Sequence, residues 1–531
     1  MTGLLDARTD EVPENIECEL CIVGAGAAGI MLARKLAGAY GDIVLLEAGS
    51  LEFDAVTQEL CGGRNLGLPY LDLRACRLRY FGGTTNHWSG YSRANDPIDY
   101  EGRPELGVPA WPVQKDEIQP FIDLAAGELG ITTHFFDPAY HATELGFPGS
   151  VLFETQAPAL VTKVFQITPE ERFGRIYREE LAGAPGLRIV LNLNVVHLEL
   201  AAEGTRLESL RAKTTTGKTV RVRARIVVLA CHAIENARLL LASNDIQEAG
   251  IGNAYDHVGR YFMEHPYVRG STLIPSKRLP LLYDWRYAER RNLNANLSLS
   301  APTMRELGIL QYYCRFIPVY AEQDVRDALG RLKSRFFEPF DRQVLEDIVT
   351  VVGELTDAAE YELNNRNLVD SRASLYLLEH RIEQAPNPRS RITLSEERDS
   401  LGSRRADLSW FLSETDYRTF QEGHDLVVRE LSAVGAGRFV LEELTPEFVD
   451  KTIGGKFHHI GTTRMSDSPR DGVVDSDLRV HGVENLYILG SSVFPTAGYS
   501  GPTMMIIAFA FRLAEHLKSR SAEFVGADNV V

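Results

Sequence analysis

The sequence predicts an α/β protein in which a doubly wound, Rossmann-type sheet domain is joined to a second domain of strands and covering helices. Three observations predict it. The apolar run Cys18 to Val23 passes through a glycine-rich turn into a helical stretch, Ala27 to Ala39, and then a second apolar run, Ile43 to Glu47. That order is the opening βαβ unit of a doubly wound sheet. A chain of 531 residues exceeds what one hydrophobic core serves, so two or more domains are expected. Between about Pro266 and Glu443 the texture changes, with strand-like runs alternating with charged helical ones.

The remaining elements follow in order. Leu51 to Gly130 is rich in Gly, Pro and Arg and reads as extended loops followed by a helix near Lys115 to Leu129. Leu187 to Val222 reads as short strands with a hairpin signal at Thr216-Gly217-Lys218. Arg225 to Ala230 is a buried strand leading into a helix from Ala233 to Ala242. Ile348 to Asn364 and Glu414 to Val434 have the pattern of amphipathic helices. Gly454 to Ser519 is dense in Gly, His, Ser and Thr and ends in a long apolar helix. The middle stretch carries no readable catalytic motif, so substrate binding is its natural assignment.

Composition narrows the function classes. The apolar fraction of 44% with 24% charged residues suits a globular protein that is not membrane-embedded. A net charge of −17 without a long basic run argues against nucleic-acid or anionic-membrane binding. By the same charge, a cationic or neutral small substrate is the better expectation. No signal peptide is visible in Met1 to Glu17, and the longest apolar runs are too short to span a bilayer, so a cytoplasmic location is expected. The six cysteines are scattered, no His and Cys set has zinc spacing, and Cys18 and Cys21 form a C-x-x-C within a strand, a poor place for a redox pair. No metal site is expected.

The turn itself is Gly24-Ala25-Gly26-Ala27-Ala28-Gly29. Its glycines serve a tight turn, close approach of backbone to a pyrophosphate, and close helix–strand packing. The helix start offers unpaired N–H groups to the phosphates. Glu47 ends the next strand, near the ~20-residue spacing at which a carboxylate meets a ribose hydroxyl. A nicotinamide nucleotide would fit equally well. The hairpin-rich segment before the strand Arg225 to Ala230, and the helix Asn236-Ala237-Arg238-Leu239-Leu240-Leu241, favour FAD.

Several segments, in order, resemble the glucose–methanol–choline (GMC) oxidoreductase family: Cys18 to Gly49, Arg77 to Gly90, Ile226 to Ser243, Val258 to Pro266 and Lys456 to Leu517, with a further likeness at Asn387 to Gly402. The resemblance implies a discontinuous FAD-binding domain over 15–100, 185–265 and 454–520. It implies a substrate domain over 101–184 and 266–453, built on an antiparallel sheet covered by helices. It also implies that Gly82-Gly83-Thr84-Thr85-Asn86-His87-Trp88 runs along the isoalloxazine, with Gly82, Gly83, Thr84, Asn86 and His87 at the flavin. Only glycine allows such a close approach of backbone. The His87-Trp88 pair resembles the pyranose oxidase branch, which implies a covalent link from His87 to the flavin 8α carbon. A packing or hydrogen-bonding contact beside the ring is the alternative. Val196 resembles the position whose backbone meets the adenine, and Gly490 and Ser491 lie where the family touches the ribityl and pyrophosphate. Gly501, Pro502 and Thr503 lead into a helix whose N-terminus would face the flavin.

The catalytic expectation rests on Phe457-His458-His459-Ile460-Gly461-Thr462. Oxidising an alcohol requires hydride transfer from carbon to flavin N5 and removal of the hydroxyl proton, and a histidine with an ordinary pKa near ~6.5 suits the second task. By resemblance His458 is that base, and His459 is a second catalytic candidate. The loop Phe494 to Thr503 departs from the family, because Gly501 stands where a second catalytic Asn or His is usual. His459, Tyr499 or Ser500 substitutes, water fills the gap, or the reaction differs. His265 and Arg464 are polar within matching segments and read equally well as structural. The expected enzyme is an FAD-dependent oxidoreductase acting on an alcohol or sugar-like hydroxyl, with oxygen or another acceptor reoxidising the flavin. The alternatives are a dehydrogenase using a quinone or protein acceptor, and a non-redox flavin lyase.

Overall fold

A computed structural model of the chain describes residues 3–144, 159–169, 172–276, 279–283, 292–319 and 375–527. The helix expected at Ile348 to Asn364 lies outside them. With strands numbered along the chain, the first sheet contains β1 (Leu4–Asp6), β2 (Asn15–Val23), β3 (Ile43–Leu46), β7 (Leu187–Leu191), β8 (Asn194–Leu200), β9 (Leu207–Lys213), β10 (Thr219–Leu229) and β18 (Leu486–Ile488). Their order is β1-β7-β3-β2-β10-β9-β8, with β18 also paired to β10. Pairings from β1 through β10 and on to β18 are parallel, and β8 and β9 add antiparallel hairpins. Leu20, Cys21 and Ile22 and all of Ile43–Leu46 are buried, as parallel strands covered on both faces must be. The hairpin turn is where the sequence places it, with Gly217 at φ +96° and Thr214 N–H donating to the Lys218 carbonyl.

Helix Ala27–Leu36 packs on one face of this sheet against the long apolar helix Thr503–Ala527, which packs in turn on helix Lys115–Glu128. The first of these stops short of the expected Ala39, because Ala37 leaves helical angles and Gly38 turns the chain at φ +79°.

The second sheet comprises β5 (Tyr91–Ser92), β6 (Leu160–Ile167), β11 (Tyr267–Pro275), β12 (Leu293–Leu299), β13 (Tyr312–Val319), β14 (Leu375–Ile382) and β17 (Gly437–Val440), in the order β17-β11-β14-β13-β12-β6-β5. All of its pairings are antiparallel. Helix Glu414–Ala433 covers one face, packing on β13, β14 and β17. Its start is fixed by a capping box between Ser413 and Asp416. A small third sheet joins β4 (Gly63–Asn65), β15 (Arg391–Arg398) and β16 (Arg404–Ser409). Among the described residues no helix is long and apolar enough to cross a membrane.

The carboxyl ends of the parallel strands point toward the open face of the antiparallel sheet. Val23, Leu46, Ala230 and Leu489, at or just beyond the ends of β2, β3, β10 and β18, share one cavity with Tyr91, Phe165, Asn296 and Arg381 of the second sheet. A ligand belongs in that crevice in a doubly wound fold.

Candidate active site

The cavity measures about 1110 Å3. Gly24, Gly26, Glu47, Gly83, Thr84, His87, His458, His459, Gly490, Ser491, Gly501, Pro502 and Thr503 all line it, although they come from four separate stretches of chain. Gly24 needs its φ of +102°, and a Cβ there would lie 2.5 Å from the Ala230 carbonyl. A Cβ on Gly29 would overlap the Gly24 carbonyl, so Gly29 sits behind the wall as the packing glycine. Gly26 differs, because nothing stands within 4 Å of where its Cβ would be. The same holds for Gly490, at φ +132°. Glu47 does not wait for a ligand alone: its two oxygens accept from Ala25 N–H at 2.8 Å and Gly49 N–H at 2.9 Å, which fixes the turn.

The 82–88 loop packs directly on that turn. Gly82 N–H donates to the Ala25 carbonyl at 2.8 Å, and a Cβ on Gly83 would reach 3.1 Å from Gly26 Cα. Thr84, His87 and Trp88 face the cavity, with His87 exposed to it. Two residues of this loop expected at the flavin do not line the cavity. Gly82 sits in the wall's backing, and the Asn86 amide donates to the Phe81 carbonyl at 2.8 Å, bracing the loop from behind. Val196 also misses the cavity. Leu193 and Val195 line it, and Val196 falls at an irregularity in register between Val195 and His197 on β8.

Near the glycine turn, Arg77, Arg79 and Arg238 surround the buried Glu235, at 2.8, 3.5 and 2.8 Å. All four line the cavity. Three guanidiniums on one carboxylate leave this wall net positive, which suits a diphosphate beside a helix N-terminus. Open glycine faces, a positive wall and a cavity of about 1110 Å3 together fit FAD.

Two hydrogen-bonded chains set the histidines. The Gly498 carbonyl accepts from His265 Nε2–H at 3.0 Å, so His265 Nδ1 carries a lone pair. That lone pair accepts from His458 Nδ1–H at 2.8 Å, which leaves His458 Nε2 unprotonated. A Cβ on Gly501 would stand 3.6 Å from this nitrogen, so the imidazole faces the space that Gly501 leaves empty. Burial, then His265, Arg381 and Lys456, hold the His458 pKa well below the ordinary histidine value. The ring is neutral at pH 7 and ready to accept a proton. Phe457 before it sits at φ +61°, a strained position for an aromatic residue that the surrounding contacts must hold.

The second chain ends differently. His232 Nδ1 accepts from Ile234 N–H, so its Nε2–H donates to His459 Nδ1 at 2.8 Å. His459 Nε2–H then meets Tyr70 Oη at 2.8 Å, and Tyr70 donates to Glu264. Both nitrogens of His459 are therefore committed within the protein, whereas His458 spends one. Buried Glu264 also accepts from the backbone N–H groups of His265, Lys456 and His458, pinning the catalytic segment. His265, equally readable as structural from sequence, sets the tautomer of His458. Sequence reasoning missed Tyr70, His232 and Glu264, because nothing local marks residues that meet across hundreds of positions. The proposed substitutes Tyr499 and Ser500 are also corrected. They lie behind the wall, where the Tyr499 hydroxyl accepts from Arg93 and Ser500 Oγ donates to the Arg93 carbonyl.

The opposite wall is the second sheet. Asn294 and Asn296 of β12, Tyr313 and Arg315 of β13 and Arg381 of β14 line the cavity, joined by Lys456. Register puts Tyr313 opposite Arg381 and Arg315 opposite Glu379, so alternate residues share one face. The signals Asn-Ala-Asn, Tyr-Cys-Arg and Glu-His-Arg, polar at every second position of buried strands, could have found this face. This wall is cationic. Net charge, on which the expectation of a cationic or neutral substrate rests, does not report the local character of this wall.

Comparison with known proteins agrees with this geometry. A family model described as FAD dependent oxidoreductase matches residues 19–247, and one described as GMC oxidoreductase matches 386–510. The chain is 22% identical to the fructose dehydrogenase large subunit of Gluconobacter japonicus, covering 94% of this chain and 98% of that protein. It is 26% identical to paromamine 6'-oxidase of Streptomyces fradiae, covering 94% and 90%. The fold matches that of pyridoxine 4-oxidase from Mesorbium loti, with a TM-score of 0.59, 18% identity, and 94% of this chain and 99% of that one covered. The cofactor is FAD, and the chain belongs to the glucose–methanol–choline family of oxidoreductases, enzymes that act on CH–OH donors.

Proposed function

We propose that this chain oxidises a hydroxyl group of a small alcohol or sugar-like molecule, with His458 Nε2 accepting the hydroxyl proton. FAD, when bound, takes the two electrons as a hydride from the substrate carbon. The single observation carrying this reading is the proton order along Gly498, His265 and His458, which leaves one lone pair facing the cavity. A base so placed needs no rearrangement before it acts. Gly501 leaves room beside it, and Asn294 and Asn296 on the facing sheet supply polar groups in place of the missing side chain. Glu264 and His459 hold the segment without exchanging a proton with substrate.

In this reading residues 15–100, 185–265 and 454–520 would hold the cofactor, and 101–184 and 266–453 would supply the substrate wall. His87, exposed on the cavity wall within the flavin loop, is the attachment point for a covalent flavin link in this reading. Oxygen or another acceptor reoxidises the cofactor, and admitting air to anaerobically reduced enzyme separates oxidase from dehydrogenase.

The test is anaerobic, stopped-flow reduction of the bound flavin by a panel of alcohols and sugars. His458→Ala is expected to slow reduction by about a hundredfold, the scale of a general base. A reduction rate equal to that of the parent enzyme removes His458 from the role.

A further inference from the structure

We infer that Asn296 selects substrates carrying a second hydroxyl beside the one oxidised, a cyclic polyol rather than a simple alcohol. The inference deepens the function proposed above and rests on it for where the substrate lies. It starts from strand β12, whose residues Leu293–Leu299 are all buried although Asn294, Asn296 and Ser298 are polar. Alternation puts these three side chains on one face of the strand. A polar side chain buried there must find a partner or cost stability.

The three meet that demand differently. Ser298 lies outside the cavity lining, and its Oγ donates to the Tyr312 carbonyl. Asn296 lines the cavity and is 3% exposed, and its Oδ1 has no hydrogen-bond partner. Asn294, 2% exposed, stands two residues before it on the same cavity wall. Away from the ligand space the protein satisfies its own polar group. Beside that space it leaves an acceptor open.

Water donates to such an acceptor while the cavity is filled with solvent. Once substrate displaces that water, a donor on the substrate must replace it. The hydroxyl being oxidised cannot serve, because its one proton goes to His458 Nε2 in the proposed reaction. Nor does a carbonyl-type oxygen stabilise the negative charge left on that hydroxyl's oxygen. The donor is therefore a second hydroxyl.

The surroundings suit a ring. Phe165, opposite Asn294 on β6, and Tyr313 of β13 line the same cavity, with ring centroids 5.8 Å apart. Aromatic surface packs against the C–H face of a cyclic polyol while a few placed polar groups take its O–H edge.

The experiment compares matched rings on the holoenzyme: cyclohexanol, the cis and trans vicinal cyclohexanediols, myo-inositol, and vicinal aminocyclohexanol. Binding is read from perturbation of the bound-FAD spectrum, and turnover from anaerobic bleaching. At least one polyol is expected to exceed cyclohexanol by about tenfold or more in reduction rate divided by dissociation constant, because an unpaired buried acceptor penalises the analogue lacking the group. Asn296→Leu, similar in shape, is expected to bring that ratio to within about threefold of unity while leaving the apo-protein melting temperature equal or higher. A lowered melting temperature with the ratio unchanged overturns the inference in favour of a structural role. Equal losses for cyclohexanol and the diols in this variant place the amide at the oxidised oxygen, which also overturns it. Should the variant fail to fold, the ring series on the parent enzyme decides. Cyclohexanol reducing the flavin as efficiently as the polyols overturns the inference and leaves hydroxyl oxidation standing. A polyol that binds far tighter than cyclohexanol yet never bleaches the flavin does the reverse. Aminocyclohexanol ahead of both diols, or binding of none of the rings, overturns the assignment of a hydroxyl.

Discussion

One end of the cavity is walled by backbone, the other by side chains. At the glycine turn, Gly24, Gly26, Gly83 and Gly490 bring main chain to the surface, and what matters is the atom each residue lacks. At the antiparallel sheet, Asn294, Asn296, Arg315 and Arg381 stand out from alternate strand positions, and what matters is the group each residue carries. The first construction admits few sequences, because a Cβ in the wrong place is excluded by contact. The second admits many, because any side chain fits the pleat. A cofactor common to a family belongs with the first and a variable substrate with the second.

Breaking the backbone wall should give the largest effect. Gly24→Ala adds a Cβ against the Ala230 carbonyl at φ +102° and is expected to destabilise the fold by on the order of 3 kcal/mol, seen as a lowered apo-protein melting temperature. Gly26→Ala meets nothing within 4 Å. It should leave apo stability within about 1 kcal/mol while weakening FAD retention on gel filtration. If the two variants destabilise the apo protein equally, Gly26 serves the fold rather than the cofactor, and the comparison fails. The smallest effect at this end should come from His87, a side chain on a wall otherwise made of backbone. With a covalent link, acid-precipitated protein stays yellow and His87→Ala protein does not. A colourless parent pellet with free FAD in the supernatant rules the link out.

The same contrast explains what was legible in the sequence. Gly24, Gly26 and Gly29, the strand before them and the helix after them could be placed because Gly24 and Gly29 admit no Cβ and Gly26 keeps its face open to the cavity. His458 was legible by its neighbours Gly461 and Thr462. Val196 was expected beside the adenine, whereas its neighbour Val195 lines the cavity and Val196 falls at a register irregularity that no local signal marks. Asn86 was placed at the flavin by its loop, whereas its amide is spent on Phe81. The chain Glu264, Tyr70, His459 and His232 was invisible, assembled from segments up to 389 positions apart. The polar wall of the second sheet left only a period-two trace, blurred on β14 where His380 stands between Glu379 and Arg381.

His458 and His459 condense the matter into adjacent residues. His459 is buried and His458 half-buried at the cavity wall, and desolvation is the leading cause that holds each neutral. They differ in where their protons are fixed. His459 spends both nitrogens on His232 and Tyr70, whereas His458 spends one on His265. The most direct test is 15N NMR of histidine-labelled holoenzyme at neutral pH, with the His458 signals identified by their loss in His458→Asn. Nδ1 protonated and Nε2 a bare, imine-type nitrogen is the expected result. A proton on Nε2, or a doubly protonated ring, would contradict the account, because the base would then have nothing with which to take the substrate's proton.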